Sequence, residues 1–140
     1  MTLDLSSLES ANAALCRALS IKKDTVHWQS LPELVREAVS AGIIQSFEVA
    51  YEQSWKMMKR WLENNVSAAD VDGVTRRHLF RLAAESDLIG SVDAWMSFHQ
   101  ARNETSHTYN RVKATAAADM ASEFLSACDS LLIALRARND

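Results

Sequence analysis

The stretch ELVREAVSAGIIQSFEVAYEQSWKMMKRWL, residues 33–62, decides the fold. Its small or apolar positions Leu34, Ala38, Ala41, Ile44, Phe47, Tyr51, Trp55, Met58 and Leu62 recur at spacings of three and four, the period that lines up one face of an α-helix. Glu48, Gln53, Lys56, Arg60 and Glu63 fall on other faces. Ser30 ahead of Leu31-Pro32-Glu33 offers an N-cap with proline in the first turn. One long helix is therefore expected from that point, with Gly42 as the place where it would kink or divide.

The same reading extends in both directions. Leu8, Ala11, Leu15 and Leu19 form a stripe that begins at Leu5 and ends near Lys22 and Lys23, giving a first helix, and His27, Trp28 and Gln29 read as a connecting segment. Beyond the long helix, residues 64–73 read as a polar, acidic connector. Thr75 caps a third helix through about Leu88, with Leu79, Leu82 and Ala83 inward. Gly90 and Ser91 break the chain, and Ser91 caps a fourth helix whose first turn holds Asp93, a carboxylate that complements the helix dipole. Its stripe is Val92, Trp95, Met96 and His99, running toward Arg102 and Asn103. After the non-periodic residues 105–113, a final helix carries Ala117, Met120, Phe124, Ala127, Leu131 and Leu135. Four or five amphipathic helices with short polar connectors specify an all-α, antiparallel up-and-down bundle, and 140 residues fit one domain over 1–140.

Composition supports a helical chain. Gly and Pro together number 4 of 140 residues, against roughly 12 % in average usage, which leaves little material for the turns of a β-sandwich or barrel. The balance of 15 basic and 18 acidic residues, net −3, disfavours broad electrostatic capture of nucleic acid but leaves room for a local basic cleft. Cys16 and Cys128 lie far apart without a CxxC spacing, so both read as small core residues in a reducing compartment. The start MTLDLSSLES has no basic segment followed by an apolar run, and no stretch approaches 18 apolar residues. A cytoplasmic protein without membrane attachment is expected.

The segment RNETSHTYN, residues 102–110, contains no aliphatic side chain and is not built as core. Arg102 can hold a phosphate or carboxylate through its planar fork, and His107 can exchange protons near neutral pH. Residues five apart on a straight helix diverge by about 140°. Either the helix loosens at Thr105-Ser106, or the groups converge across a partner, where two histidines would divide the roles of base and acid. The alternative is structural: a helix C-terminus where Arg and His cations meet the negative dipole end and Asn110 caps.

Other features carry similar pairs of readings. Glu48 and Glu52 lie one turn apart on one helix face and would orient His107 or bind a cation, or else remain solvated or pair with Lys56. Arg76, Arg77, His78 and Arg81 form the one basic cluster, either a solvated face or a contact for RNA or an acidic partner. His27, His78 and His99 lack metal-ligand spacing, so no metal or other cofactor is expected. Trp28, Trp55 and Trp95 read as core, whereas Trp61 lies off the main stripe and reads as an interface aromatic that a dimer would bury. Phosphate loops, nucleophile elbows and dinucleotide fingerprints are absent from the sequence.

RNETSHTY resembles the Arg-x4-His-x-Tyr motif of the HEPN superfamily (higher eukaryotes and prokaryotes nucleotide-binding), in its nucleotidyltransferase substrate-binding, or HepT-like, branch. Phe47-Glu48, Tyr51-Glu52 and Trp55-Lys56 are similar to that branch's aromatic-acid pattern. Arg81, Leu88-Ile89, Trp95 and Met96 follow in the family's order, so the resemblance spans roughly residues 47–110. Around Phe80-Arg81-Leu82-Ala83 the chain departs from it, since the family usually has an acid after the arginine and a glycine before the Leu-Ile pair.

The resemblance implies a helical homodimer with both motifs lining a shared cleft. In toxin members the motif's Arg and His cleave RNA without metal, and its Tyr can be adenylylated by a minimal nucleotidyltransferase that serves as antitoxin. By carry-over Arg102 would stabilise phosphate, His107 would handle protons, and Tyr109 would be modified or contact substrate, with Asn103, Glu48 and Glu52 supporting. A second implication is a non-catalytic subunit that binds a nucleotide or substrate for a separately encoded nucleotidyltransferase. A plain structural bundle is the third reading.

Overall fold

A computed structural model describes residues 2–105 and 111–139, without the side chains of residues 111–118. Among the described residues the chain is helical and has no strand: α1 (Ser6–Lys23), α2 (Thr25–Ser30), α3 (Glu33–Leu62), a π-helical turn (Glu63–Ser67), α4 (Ala68–Val71), α5 (Arg76–Glu85), α6 (Val92–Glu104) and α7 (Arg111–Ala137). The long α3 is the axis of the molecule, with α1 and α7 packed on one side and α5 and α6 on another.

That central place explains how the burial on α3 differs from a single stripe. Ile43, Ala50, Ser54 and Met57 are buried in addition to Ile44, Phe47, Tyr51, Met58 and Leu62, because neighbours on two sides widen the covered face. Gly42 neither divides the helix nor ends it. Before Ile43 the expected stripe has no core to meet. Leu34 is 77 % exposed, and Ala38 and Ala41 are exposed with it, so this face of the first turns of α3 overhangs the core while Val39 packs against it.

Two connectors contain more structure than their sequences suggest. His27, Trp28 and Gln29 belong to α2, capped by Asp24, whose carboxylate accepts from the His27 amide at 3.1 Å. Ser30 ends α2 by donating to the His27 carbonyl at 2.6 Å, and Pro32 takes the N-cap position of α3. Within 64–73 the π turn runs on from α3, Ser67 is extended (φ −167°), and α4 follows to Val71; Asn65 Nδ2 donates to the Trp61 carbonyl at 2.9 Å. Val71, fully buried, is the apolar anchor of a segment otherwise too polar for a helical stripe to show.

Thr75 and Ser91 cap α5 and α6 as expected, accepting from the amides of His78 and Ala94 at 3.1 Å. Trp61 is buried inside the chain, its indole donating to the Arg138 carbonyl at 3.2 Å, so its interface reading is corrected. Cys16 is exposed because it stands one residue, about 100° of helical rotation, past the buried Leu15. Cys128 is the core cysteine of the pair, 3.6 Å from the Ser54 hydroxyl, and burial pushes its thiol up to about 12.

The core centres on Phe124 of α7. Its ring lies edge-on to Phe47 of α3 at 5.1 Å between centroids and to Trp95 and Phe98 of α6 at 5.6 and 5.3 Å. Tyr51 closes the ring of aromatics at 6.4 Å. Phe80 of α5, also fully buried, joins through Trp95 at 5.8 Å.

The exit of α5 is a Schellman turn, with the Leu88 amide donating to the Ala83 carbonyl at 2.9 Å and the Asp87 amide to that of Ala84 at 3.0 Å. Asp87 occupies its left-handed position, φ +60°. Arg138 holds the turn by donating to the Asp87 carbonyl at 2.9 Å.

Two stability outcomes follow from these contacts. Phe124→Ala should cost about 3–5 kcal/mol, measured by urea unfolding, because every neighbouring ring loses a partner. Asp87→Gly should stabilise by roughly 0.5–1 kcal/mol, since the strained conformation costs an L-residue more than glycine's added chain entropy. A lower melting temperature for Asp87→Gly would show that the carboxylate outweighs the strain.

Candidate functional site

Arg102 stands in the last turn of α6, against the acidic face of α3. Helical spacing puts Glu48 and Glu52 one turn apart, and both reach the same guanidinium: Nη1 lies 3.0 Å from Glu48 Oε2 and Nε lies 3.5 Å from Glu52 Oε1. The second contact is an ion pair without hydrogen-bond geometry. Nη1 also donates to the Thr105 hydroxyl at 3.2 Å, while that hydroxyl donates to the Arg102 carbonyl at 2.6 Å. Thr105 is buried, so it fastens both the side chain and the end of the helix. Of the readings open to Glu48 and Glu52, a salt bridge to Lys56 is not the one formed among the described residues: Lys56 lies 5.8 Å from the Trp55 ring centroid.

These groups line an open cavity of about 350 Å³ between Gln45, Glu48, Glu52, Gln53 and Arg102, with Val49 at its edge. Arg102 Nη2 has no ion pair among the described residues, so a guanidinium held by two carboxylates still has a donor edge to offer an oxyanion. Among the described residues no cluster of three or more His, Cys, Asp or Glu could hold a metal ion. His107 and Tyr109 lie outside the described residues.

A second polar chain lies beside the first. The Tyr51 hydroxyl is 2.7 Å from His99 Nδ1, and His99 Nε2 is 3.4 Å from Asn103 Nδ2. Burial pushes the Tyr51 phenol well above its usual range, so it keeps its proton, and which of the pair donates follows the imidazole tautomer. An amide nitrogen can only donate, so the Asn103 contact fits an unprotonated Nε2, with the imidazole proton on Nδ1 toward the Tyr51 oxygen. Sequence placed Tyr51 and His99 on apolar stripes. The overlooked signal is that each carries a polar tip that requires a partner when its ring is buried.

Arg76 was read with the surface cluster, yet its guanidinium carbon lies 3.5 Å from the Trp55 ring centroid. The Trp55 indole donates to Glu52 Oε2 at 3.0 Å, which links this stack to the Arg102 pair. Arg77 and Arg81 do face solvent, Arg77 only 3.6 Å from an almost fully exposed Asp93.

Burial, aided by the nearby Arg76 charge, holds the His99 imidazole below its ordinary range. The neutral ring's contribution to stability is therefore complete above about pH 6.5 and is lost as pH falls toward the folded value. Unfolding free energy should decline on acidification below about pH 6.5, and His99→Gln should flatten that decline in denaturant titrations from pH 7.5 to 5. An unchanged slope would place the effect elsewhere.

The chain matches, over residues 3–137, the family described as nucleotidyltransferase substrate binding protein like. It is 35 % identical over 138 residues to a Haemophilus influenzae protein named probable ribonuclease HepT, covering 98 % of this chain and 94 % of that protein. A solved Haemophilus influenzae structure, described as revealing the fold of a substrate binding domain of a nucleotidyltransferase, superposes with a TM-score of 0.91 at 34 % identity, over 95 % of this chain and 99 % of that one. A Thermus thermophilus crystal structure shares the fold at a TM-score of 0.72 and 24 % identity, over 92 % of this chain and 98 % of that one. By that match and that identity, this helical chain belongs to the nucleotidyltransferase substrate binding protein like family.

Proposed function

We propose that this chain is a metal-independent endoribonuclease, the toxin of a two-component pair, acting as one helical domain over residues 1–140 in a cytoplasmic homodimer. The observation that carries the reading is an arginine held at the head of an Arg-x4-His-x-Tyr motif by Glu48, Glu52 and Thr105, with its Nη2 free of ion pairs among the described residues. The name of the 35 % identical relative, a probable ribonuclease, supports it.

In this mechanism His107 takes the proton of an RNA 2′-hydroxyl as that oxygen attacks phosphorus. The bond from phosphorus to the 5′ oxygen breaks, and the partner's His107 returns a proton to the leaving oxygen. A 2′,3′-cyclic phosphate and a 5′-hydroxyl result, with no net change in protons. Arg102 neutralises charge that grows on the phosphoryl oxygens. Asn103, oriented through His99, acts as a positioning residue beside it. A separately encoded minimal nucleotidyltransferase neutralises the toxin by moving AMP from ATP to the Tyr109 hydroxyl, releasing pyrophosphate.

The description of the solved relative as a substrate binding domain favours a second reading, in which the same cleft presents a nucleotide or Tyr109 to the transferase without cutting RNA. RNA cleavage in EDTA separates the two. The ribonuclease should cut RNA but not a matched DNA, and Arg102→Ala or His107→Ala should lose at least about 100-fold in rate with the fold retained. Absence of cleavage by protein whose Tyr109 mass is unmodified, together with a stable complex with the transferase, would establish the binding role instead.

A further inference from the structure

A second cavity, about 380 Å³, opens between the C-terminal part of α3 and the start of α5, and its walls include Trp55, Lys59, Thr75, Arg76 and His99. Its charged groups are cations. Among the described residues neither Lys59 nor Arg76 has a carboxylate partner, and the buried Arg76 Nη1 has no hydrogen-bond partner. A buried guanidinium nitrogen left unpaired is costly, and a bound acceptor would remove that cost.

The helix beside the cavity carries the same charge sign. The first turn of α5 contains no acid and reads Arg76-Arg77-His78, cations set where the helix dipole favours anions. Thr75 satisfies the His78 amide, while the amides of Arg76 and Arg77 have no acceptor within the helix. Trp55 holds Arg76 flat against its ring, which fixes the fork toward one position.

We propose that this cavity is a phosphate subsite, in which Arg76 and Lys59 take a non-scissile phosphodiester of the same nucleic-acid chain whose cleavage Arg102 and His107 serve. The identity of the phosphate as RNA rests on the ribonuclease reading. Placement favours it: Lys59 follows Glu52 by seven residues, about 10 Å along α3, and Glu52 touches both Trp55 and Arg102. A short oligonucleotide would span the two positions.

Two titrations of the full-length protein test this. The first follows the Trp55 indole N–H signal by NMR as inorganic phosphate is added. A saturable shift in the wild type, abolished in Arg76→Gln, is expected, and Arg76→Lys should bind more weakly than wild type because it loses the stacked fork. An unmoved signal, or the same shift in Arg76→Gln, overturns the subsite. The second measures binding of a 2′-O-methyl oligoribonucleotide, which cannot be cleaved, across a salt series. Arg76→Gln/Lys59→Gln should weaken it about tenfold or more and reduce the slope of log affinity against log salt by about 2. Equal binding by wild type and double variant overturns the subsite and leaves the Arg102 reading standing. Phosphate binding without oligonucleotide binding by any form overturns the RNA assignment here and the ribonuclease reading with it.

Discussion

Burial of the Phe124 ring where α3, α6 and α7 meet is the interaction that fixes the site. Phe47 and Tyr51 on one helix and Trp95 and Phe98 on another all lean on it, so the rotation of α6 about its axis is set relative to α3. That rotation brings Arg102 onto the carboxylates of Glu48 and Glu52, and His99 onto Tyr51. Close packing lets no single ring shift without its neighbours. The ion pairs on the surface therefore do not have to order the helices, and partly exposed pairs of this kind would be too weak to do so.

The site joins two types of hold on one helix end. Carboxylates grip the Arg102 side chain from outside, and Thr105 ties it to the backbone from beneath. Further in, the hydrogen-bonded chain from Tyr51 through His99 reaches Asn103, the neighbour of Arg102 in sequence. Both residues at the head of the motif are thus anchored to α3 by separate polar routes. Such support is what a charged group needs if it is to meet a ligand without first reorganising.

Much of this was legible in the sequence because helices advertise themselves by period. The stripe over Ile44–Leu62, the caps at Thr75 and Ser91, and the burial of Leu8, Leu15, Phe124, Leu131 and Leu135 follow from spacing alone. What spacing does not carry is the identity of the neighbour. Leu34 and Ala38 sit in register with the core yet meet none, Trp61 is out of register yet buried, and Cys16 differs from Cys128 only in its helical phase. At the site, sequence placed Glu48 and Glu52 on one face but could not say that Arg102, fifty residues away, was their counter-charge. The stacking of Arg76 on Trp55 was hidden for the same reason.

The overhang of α3 gives one hydrogen-bonded rod two mechanical regimes. From Ile43 onward, opening a turn would tear buried side chains from α1, α5, α6 and α7, so that half unfolds only with the whole molecule. The turns from Glu33 to Ala41 have exposed side chains at Leu34, Ala38 and Ala41, with Val39 packed against the core, and depend more on local propensity. Opening these turns should therefore cost less than opening those beyond Gly42, with the aromatic cluster and Arg102 kept in register. A long helix here is thus a fixed beam at one end and a reversible one at the other.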